Sequence, residues 1–183
     1  VVDGTVCGSA ADWSAAGDAN PLGAGVRAKR HWHLWGEHSA WRRVFASQRF
    51  VPHPFSDSGI SGTLTAMSLV DVLSALEPGH GDVFLDVGCG NGAVLGAMHQ
   101  LHATVALRGV DADVPQIEAC RRNFSHIHAV AAVEERNVSE MGDFGDVTLL
   151  FSFCEGLQPS SAIVAMLSAC ARTPTLRRAC FVH

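Results

Sequence analysis

The chain has 183 residues, is 48% hydrophobic and carries a formal charge of -5, which suits one packed domain of ordinary size. No apolar run is long enough to cross a bilayer, and the opening Val1-Val-Asp-Gly-Thr5 lacks the charged and apolar regions of a signal peptide. The cysteines at 7, 89, 120, 154, 170 and 180 show no Cys-x-x-Cys spacing, so they read as buried free thiols in a reducing compartment rather than a disulfide framework.

In chain order, residues 1–26 are rich in Gly, Ala and Asp without periodicity and read as a loose arm or irregular cap. Residues 27–49 gather Arg27, Lys29, Arg30, Arg42, Arg43 and Arg49 against Glu37 alone, with Trp32, Trp35, Trp41 and Phe45 between them. Aromatics interleaved with arginines can grip nucleic acid by stacking; the expectation preferred here is an aromatic stripe that packs a helix onto the main domain, with the arginines outward. The histidines at 31, 33, 38 and 53 lack the spacing and closing partners of a metal site, so no metal is expected. Val51-Pro-His-Pro-Phe55 breaks any helix, and a loop continues to Gly62. A helix follows over Thr63–Leu76, with Leu69, Val72, Leu73 and Leu76 as its buried side.

From Val83 onward, strand and helix patterns alternate. The strands fall at Val83–Val87, Val105–Val110, His128–Val133, Val147–Phe153 and Ala179–Val182. The helices fall at Ala93–Leu101, Val114–Phe124 and Ser161–Ala171. Asp113-Val-Pro-Gln116 has the form of a capping box. Such alternation means an α/β fold: a mostly parallel twisted sheet with helices on both faces. The expected organisation is an extension and lid loop over 1–62 and a core over 63–183.

The chemistry concentrates in Asp82-Val-Phe-Leu-Asp-Val-Gly-Cys-Gly-Asn-Gly-Ala-Val-Leu95. A strand runs into Asp86, glycines at 88, 90 and 92 make a tight turn, and a helix follows. That is the form of a nucleotide-cradling loop, in which glycine lets the backbone turn sharply and approach a ligand. A carboxylate two residues before the first glycine would face a pyrophosphate unfavourably and suits a ligand with an ammonium group. This favours S-adenosylmethionine over a nicotinamide dinucleotide, the alternative that Gly88-Cys-Gly-Asn-Gly-Ala93 also satisfies loosely. Downstream, Leu107-Arg-Gly-Val-Asp111 ends a second strand in a carboxylate that can accept hydrogen bonds from two ribose hydroxyls.

These residues resemble the class I S-adenosylmethionine-dependent methyltransferases, a Rossmann-like fold, through Asp86-x-Gly88-x-Gly90-x-Gly92 and Gly109-Val-Asp111. The resemblance implies that Asp86, Gly88, Cys89 and Gly90 serve the methionine side of the cofactor, Asp111 the ribose and Ala112 the adenine edge. It also implies a closing reversed hairpin, and the sequence given stops at His183 after the fifth strand candidate. Four further pieces are similar to the disruptor-of-telomeric-silencing family of histone lysine methyltransferases: the Thr63–Leu76 helix, Gly109-Val-Asp-Ala-Asp-Val-Pro115, Glu135-Arg136, and Val147-Thr-Leu-Leu-Phe-Ser-Phe-Cys-Glu-Gly156. That likeness implies adenine contacts at Asn137 and Val138, where the family usually has an acidic residue. It implies a lysine channel near Phe151-Ser152-Phe153, which replaces the family's asparagine pair, and a lid at Ser61-Gly-Thr63 without the family's tyrosine. The partner implied is a histone or nucleosome, the location the nucleus, with the cytoplasm as alternative.

Phe151-Ser-Phe-Cys154 does not supply the Asn/Asp-Pro-Pro-Tyr tetrad with which enzymes methylating adenine or glutamine hold a planar amine or amide. Phe153 and Ser152 are the expected channel wall. Three other readings stand beside a lysine acceptor: an RNA acceptor, a small-molecule acceptor, and a cofactor-binding partner subunit without activity.

Overall fold

The computed structural model describes residues 6–9, 66–126, 129–154 and 160–182. The basic-aromatic segment, the histidines at 31, 33, 38 and 53, and the lid expected over 51–63 lie outside them. The described elements are β1 (Val6–Ser9), α1 (Ala66–Ala75), β2 (Val83–Val87), α2 (Ala93–Leu101), β3 (Ala106–Asp111), α3 (Val114–His126), β4 (Ala132–Glu135), a 3-10 turn (Val138–Glu140), β5 (Leu149–Phe153), α4 (Ser160–Arg172) and β6 (Arg178–Val182). They form one sheet in the order β1-β6-β5-β2-β3-β4. All neighbours are parallel except β1, which runs antiparallel to β6 with Val6 opposite Phe181 and Ser9 opposite Arg178.

A parallel sheet covered on both faces must bury both sides of its strands, and the side chains divide accordingly. Phe84, Leu107, Leu149, Phe151 and Val182 pack with Leu69 and Leu73 of α1, Leu76 just after it, Leu95 and Met98 of α2, and Ile117, Cys120 and Phe124 of α3. On the other face Leu85, Val87, Val110, Leu150, Ala179 and Phe181 pack with Ala162, Met166 and Ala169 of α4 and Val138 of the 3-10 turn. The four positions expected to form the inner side of the first helix are all buried. Its first residues, Thr63–Thr65, lie outside the described part.

Three expectations need correction. Val6–Ser9 belongs to the sheet rather than to a loose arm. A four-residue edge strand is specified by the partner it pairs with, so periodicity cannot reveal it. The fourth strand is Ala132–Glu135, not His128–Val133: register with β3 sets it, Arg108 opposite Ala132 and Asp111 opposite Glu135, and Val130 of the apolar run is 88% exposed. Cys89, Cys120, Cys154 and Cys170 are free thiols, but Cys180 is disulfide-bonded.

Candidate functional site: the glycine turn

From β2 the chain winds outward through β3 and β4, then returns to lay β5 on the other flank of β2. The carboxyl ends of β2 and β5 therefore border the switch point where ligands of open α/β sheets bind. The glycine turn stands there. Gly88, Gly90 and Gly92 have φ of 79°, 50° and 86°, values that glycine adopts without strain. The N–H groups of Gly88 and Cys89 donate to the Val110 carbonyl at 2.8 and 3.1 Å, strapping the turn over the end of β3. Gly92 caps α2, and a Cβ on it would lie 2.5 Å from Cys120 Sγ. A Cβ on Gly109 would lie 2.8 Å from Cys89 Sγ, so the strand beneath must also be bare.

Asp111 closes β3. Its carboxylate accepts the Gly90 N–H at 2.8 Å through Oδ2 and the Asp113 N–H at 2.9 Å through Oδ1. Burial nonetheless moves its pKa upward, against the lowering by these amides. Asp86 lies on the neighbouring strand, 2% exposed, with Oδ2 buried and without a hydrogen-bond partner. Burial, and secondly repulsion from Asp111, push its carboxyl well above the ordinary range. An unpartnered buried carboxyl oxygen at a ligand-binding edge fits a ligand that brings a cation, as the ammonium of S-adenosylmethionine does.

The other expected residues divide. Gly88 is exposed at the crest of the turn and Gly90 half-buried. Cys89 turns its thiol into the core, where contact with the Cys120 thiol and burial raise its pKa far above normal; only backbone at 89 is available to a ligand. Ala112 and Asn137 are exposed, and the Arg136 N–H donates to the Asp111 carbonyl at 2.8 Å, which keeps the end of β4 beside that of β3. Asn137 Oδ1 accepts the Ser139 N–H at 3.0 Å and starts the 3-10 turn. Val138, expected at the adenine edge, instead puts its side chain into the core on the α4 face. Ser152, expected as channel wall, is fully buried and donates its hydroxyl to the Val87 carbonyl at 3.0 Å. Strand alternation sends it away from the Asp86 face, so it braces β5 against β2. Phe153 has the opposite parity: half-buried at the end of β5, it packs on the same face as Phe84 and Phe151.

Two residues escaped the sequence reading. Gln116 is 8% exposed, with Oε1 3.8 Å from the point where a Gly90 Cβ would stand. It ends the Asp113–Gln116 capping-box pattern, and the Asp113 carbonyl accepts the N–H groups of Gln116 and Ile117, both at 3.1 Å. Asn123 donates to the Asn91 carbonyl at 2.9 Å and pins the turn from α3; no local pattern announces a bond between such distant positions.

Residues 63–152 match the family described as Methyltransferase small domain. No curated protein matches the chain. Among solved structures, a proposed RNA methyltransferase from Pyrococcus horikoshii is similar at 16% identity, over 75% of this chain and 70% of that one, with a TM-score of 0.55. Precorrin 8w decarboxylase from Methanobacterium thermoautotrophicum is similar at 19% identity over 62% and 61%, TM-score 0.47. An S-adenosylmethionine-dependent methyltransferase from Clostridium acetobutylicum is similar at 14% identity over 48% of this chain, TM-score 0.42, and the chain spans 36% of that protein's length. The Pyrococcus likeness shows the shared fold, and the family match covers the segment from α1 through β5 that holds Asp86, the glycine turn and Asp111. Residues 63–152 are thus similar to a methyltransferase family, on a fold of the Rossmann-like methyltransferase type.

Proposed function

We propose that this chain transfers a methyl group from S-adenosylmethionine to the side-chain amine of a protein lysine, with a nuclear histone as the substrate. The observation that carries the donor half is the pairing of the unpartnered Asp86 carboxyl with Asp111 around one glycine turn. When bound, the cofactor supplies an electrophilic methyl on its sulfonium. The chain's own residues must then orient an acceptor in line with it and exclude water. Asp86 receives the ammonium, Asp111 the ribose hydroxyls, and the backbone at Gly88–Gly90 lies against the ligand.

For the acceptor, support comes from β5. Phe153 stands half-buried at the strand end on the Asp86 face, above the fully buried Phe151, while Ser152 holds the strand in place from behind. An apolar wall suits the alkyl part of a lysine, and its low polarity lowers the amine pKa so that the neutral nucleophile forms. The resemblance of four sequence pieces to the histone lysine family suggests the substrate class, although Phe151-Ser152-Phe153 replaces that family's asparagine pair. The basic-aromatic segment over 27–49 and the Pyrococcus protein's description favour a second reading, an RNA acceptor.

Incubation with labelled S-adenosylmethionine and nucleosomes, free histones, RNA or a small-molecule extract tests the proposal. Label on histone lysine is the expected result. Label on RNA alone establishes the second reading, and cofactor binding without transfer to any acceptor points to a partner subunit.

A further inference from the structure

Asp86 and Asp111 are two carboxyls on adjacent strands beneath one glycine turn, and among the described residues no Lys, Arg or His pairs with either. Their circumstances differ. Asp111 takes a backbone N–H on each oxygen, which supports a negative charge. Asp86 is buried with Oδ2 unpartnered. The residues around it are Gly109 opposite on β3 and Phe151 opposite on β5. Among the described residues, the titratable groups that act on this pocket are Asp111 and the Cys89 thiol in the turn, with the Cys120 thiol of α3 behind Cys89. All of these are neutral or negative. A carboxylate here would leave Oδ2 buried without a hydrogen bond and, among the described residues, without a counter-charge, surroundings that favour the neutral form. The ligand-free protein thus favours the protonated form of Asp86.

We propose that this turn binds its cofactor by proton exchange: the ligand's ammonium group pairs with Asp86 as a carboxylate, and the proton that Asp86 held leaves to solvent. The inference rests on the cofactor reading above and adds its linkage to pH. The balance is simple. The Asp86 O–H bond is the only one broken, its proton goes to buffer, and the ligand keeps all its atoms and its charge. Asp86 then excludes ligands without a cation at this position, because they would leave its proton in place and gain no ion pair. Below the pH at which Asp86 ionises in the free protein, affinity rises with pH by up to about tenfold per unit.

Calorimetry with S-adenosylhomocysteine near neutral pH, in phosphate and in Tris, measures the proton directly, because the two buffers differ in ionisation enthalpy. Adenosine, which keeps the ribose and base but has no ammonium, is the second ligand. Wild type is expected to release protons on binding S-adenosylhomocysteine, more as pH is lowered from neutral toward about 5, and close to none with adenosine. Asp86→Asn is expected to abolish the release in whatever binding it retains. Binding of S-adenosylhomocysteine without release, or equal release with adenosine, overturns the inference and leaves the cofactor reading intact. Absence of S-adenosylhomocysteine binding overturns both.

Discussion

In the proposed reading, Asp86 trades stability for ligand recognition. Its pKa is raised in the folded state, first by burial and then by Asp111. Its favourable contribution is therefore complete below the unfolded value of 3.8 and is lost as pH rises through the folded value. At neutral pH the neutral isostere should relieve that cost. Asp86→Asn is expected to stabilise the ligand-free protein by about 2 kcal/mol and to lose most of the melting-temperature rise that S-adenosylhomocysteine gives the wild type. A variant that melts lower without ligand would contradict the stored cost. Gly92 makes the opposite case. Its φ of 86° and the 2.5 Å approach to Cys120 Sγ leave no room for a methyl group. Gly92→Ala should cost about 2–4 kcal/mol in urea unfolding, and a cost under about 0.5 kcal/mol would show that the turn relaxes.

At the scale of elements, the strand ends away from the turn are tied by a polar knot. Asp82 precedes β2, Thr148 precedes β5 and Arg177 precedes β6. Asp82 accepts Arg177 Nη2 at 2.6 and 2.7 Å, the Thr148 hydroxyl at 2.8 Å and the Gly79 N–H at 2.8 Å. Burial works to raise its pKa, but the Arg177, Gly79 and Thr148 bonds outweigh it and the net shift is downward. Its contribution is present above the unfolded value of 3.8 and disappears as pH falls through the lower folded value. Asp82→Ala should cost about 2 kcal/mol at neutral pH, and the cost measured by urea unfolding should shrink toward acid. The knot was invisible in the sequence because its members come from three separate strand entries. What was legible shares one property, local pattern. Val83–Val87 and Ala93–Leu101 match the structure residue for residue because an apolar run, a glycine turn and a helical stripe are each local. The ends of β4 were misread because only Val133 of that strand is buried. The facing of Ser152 is legible in the alternation with Phe151 and Phe153, which places it on the opposite face of β5.

For the whole molecule, the sheet edge matters as much as the site. β6 is an apolar strand, buried from Ala179 to Val182, and β1 covers its outer side. Removal of residues 1–9 should expose that edge as a template for other chains and produce dimers or larger species in light scattering; a monomeric, equally stable product would show that β1 is dispensable. The site and the fold are also coupled by mass action. S-adenosylhomocysteine at about a hundred times its Kd should add about 2.7 kcal/mol to unfolding stability, read as a shifted urea midpoint. The pairing of Val6 with Phe181 has a consequence for how the protein is made. On the ribosome β1 emerges long before β6, so it waits without this partner while β2 to β5 are made. A chain interrupted before β6 would leave β1 unpaired and open to the cell's quality control.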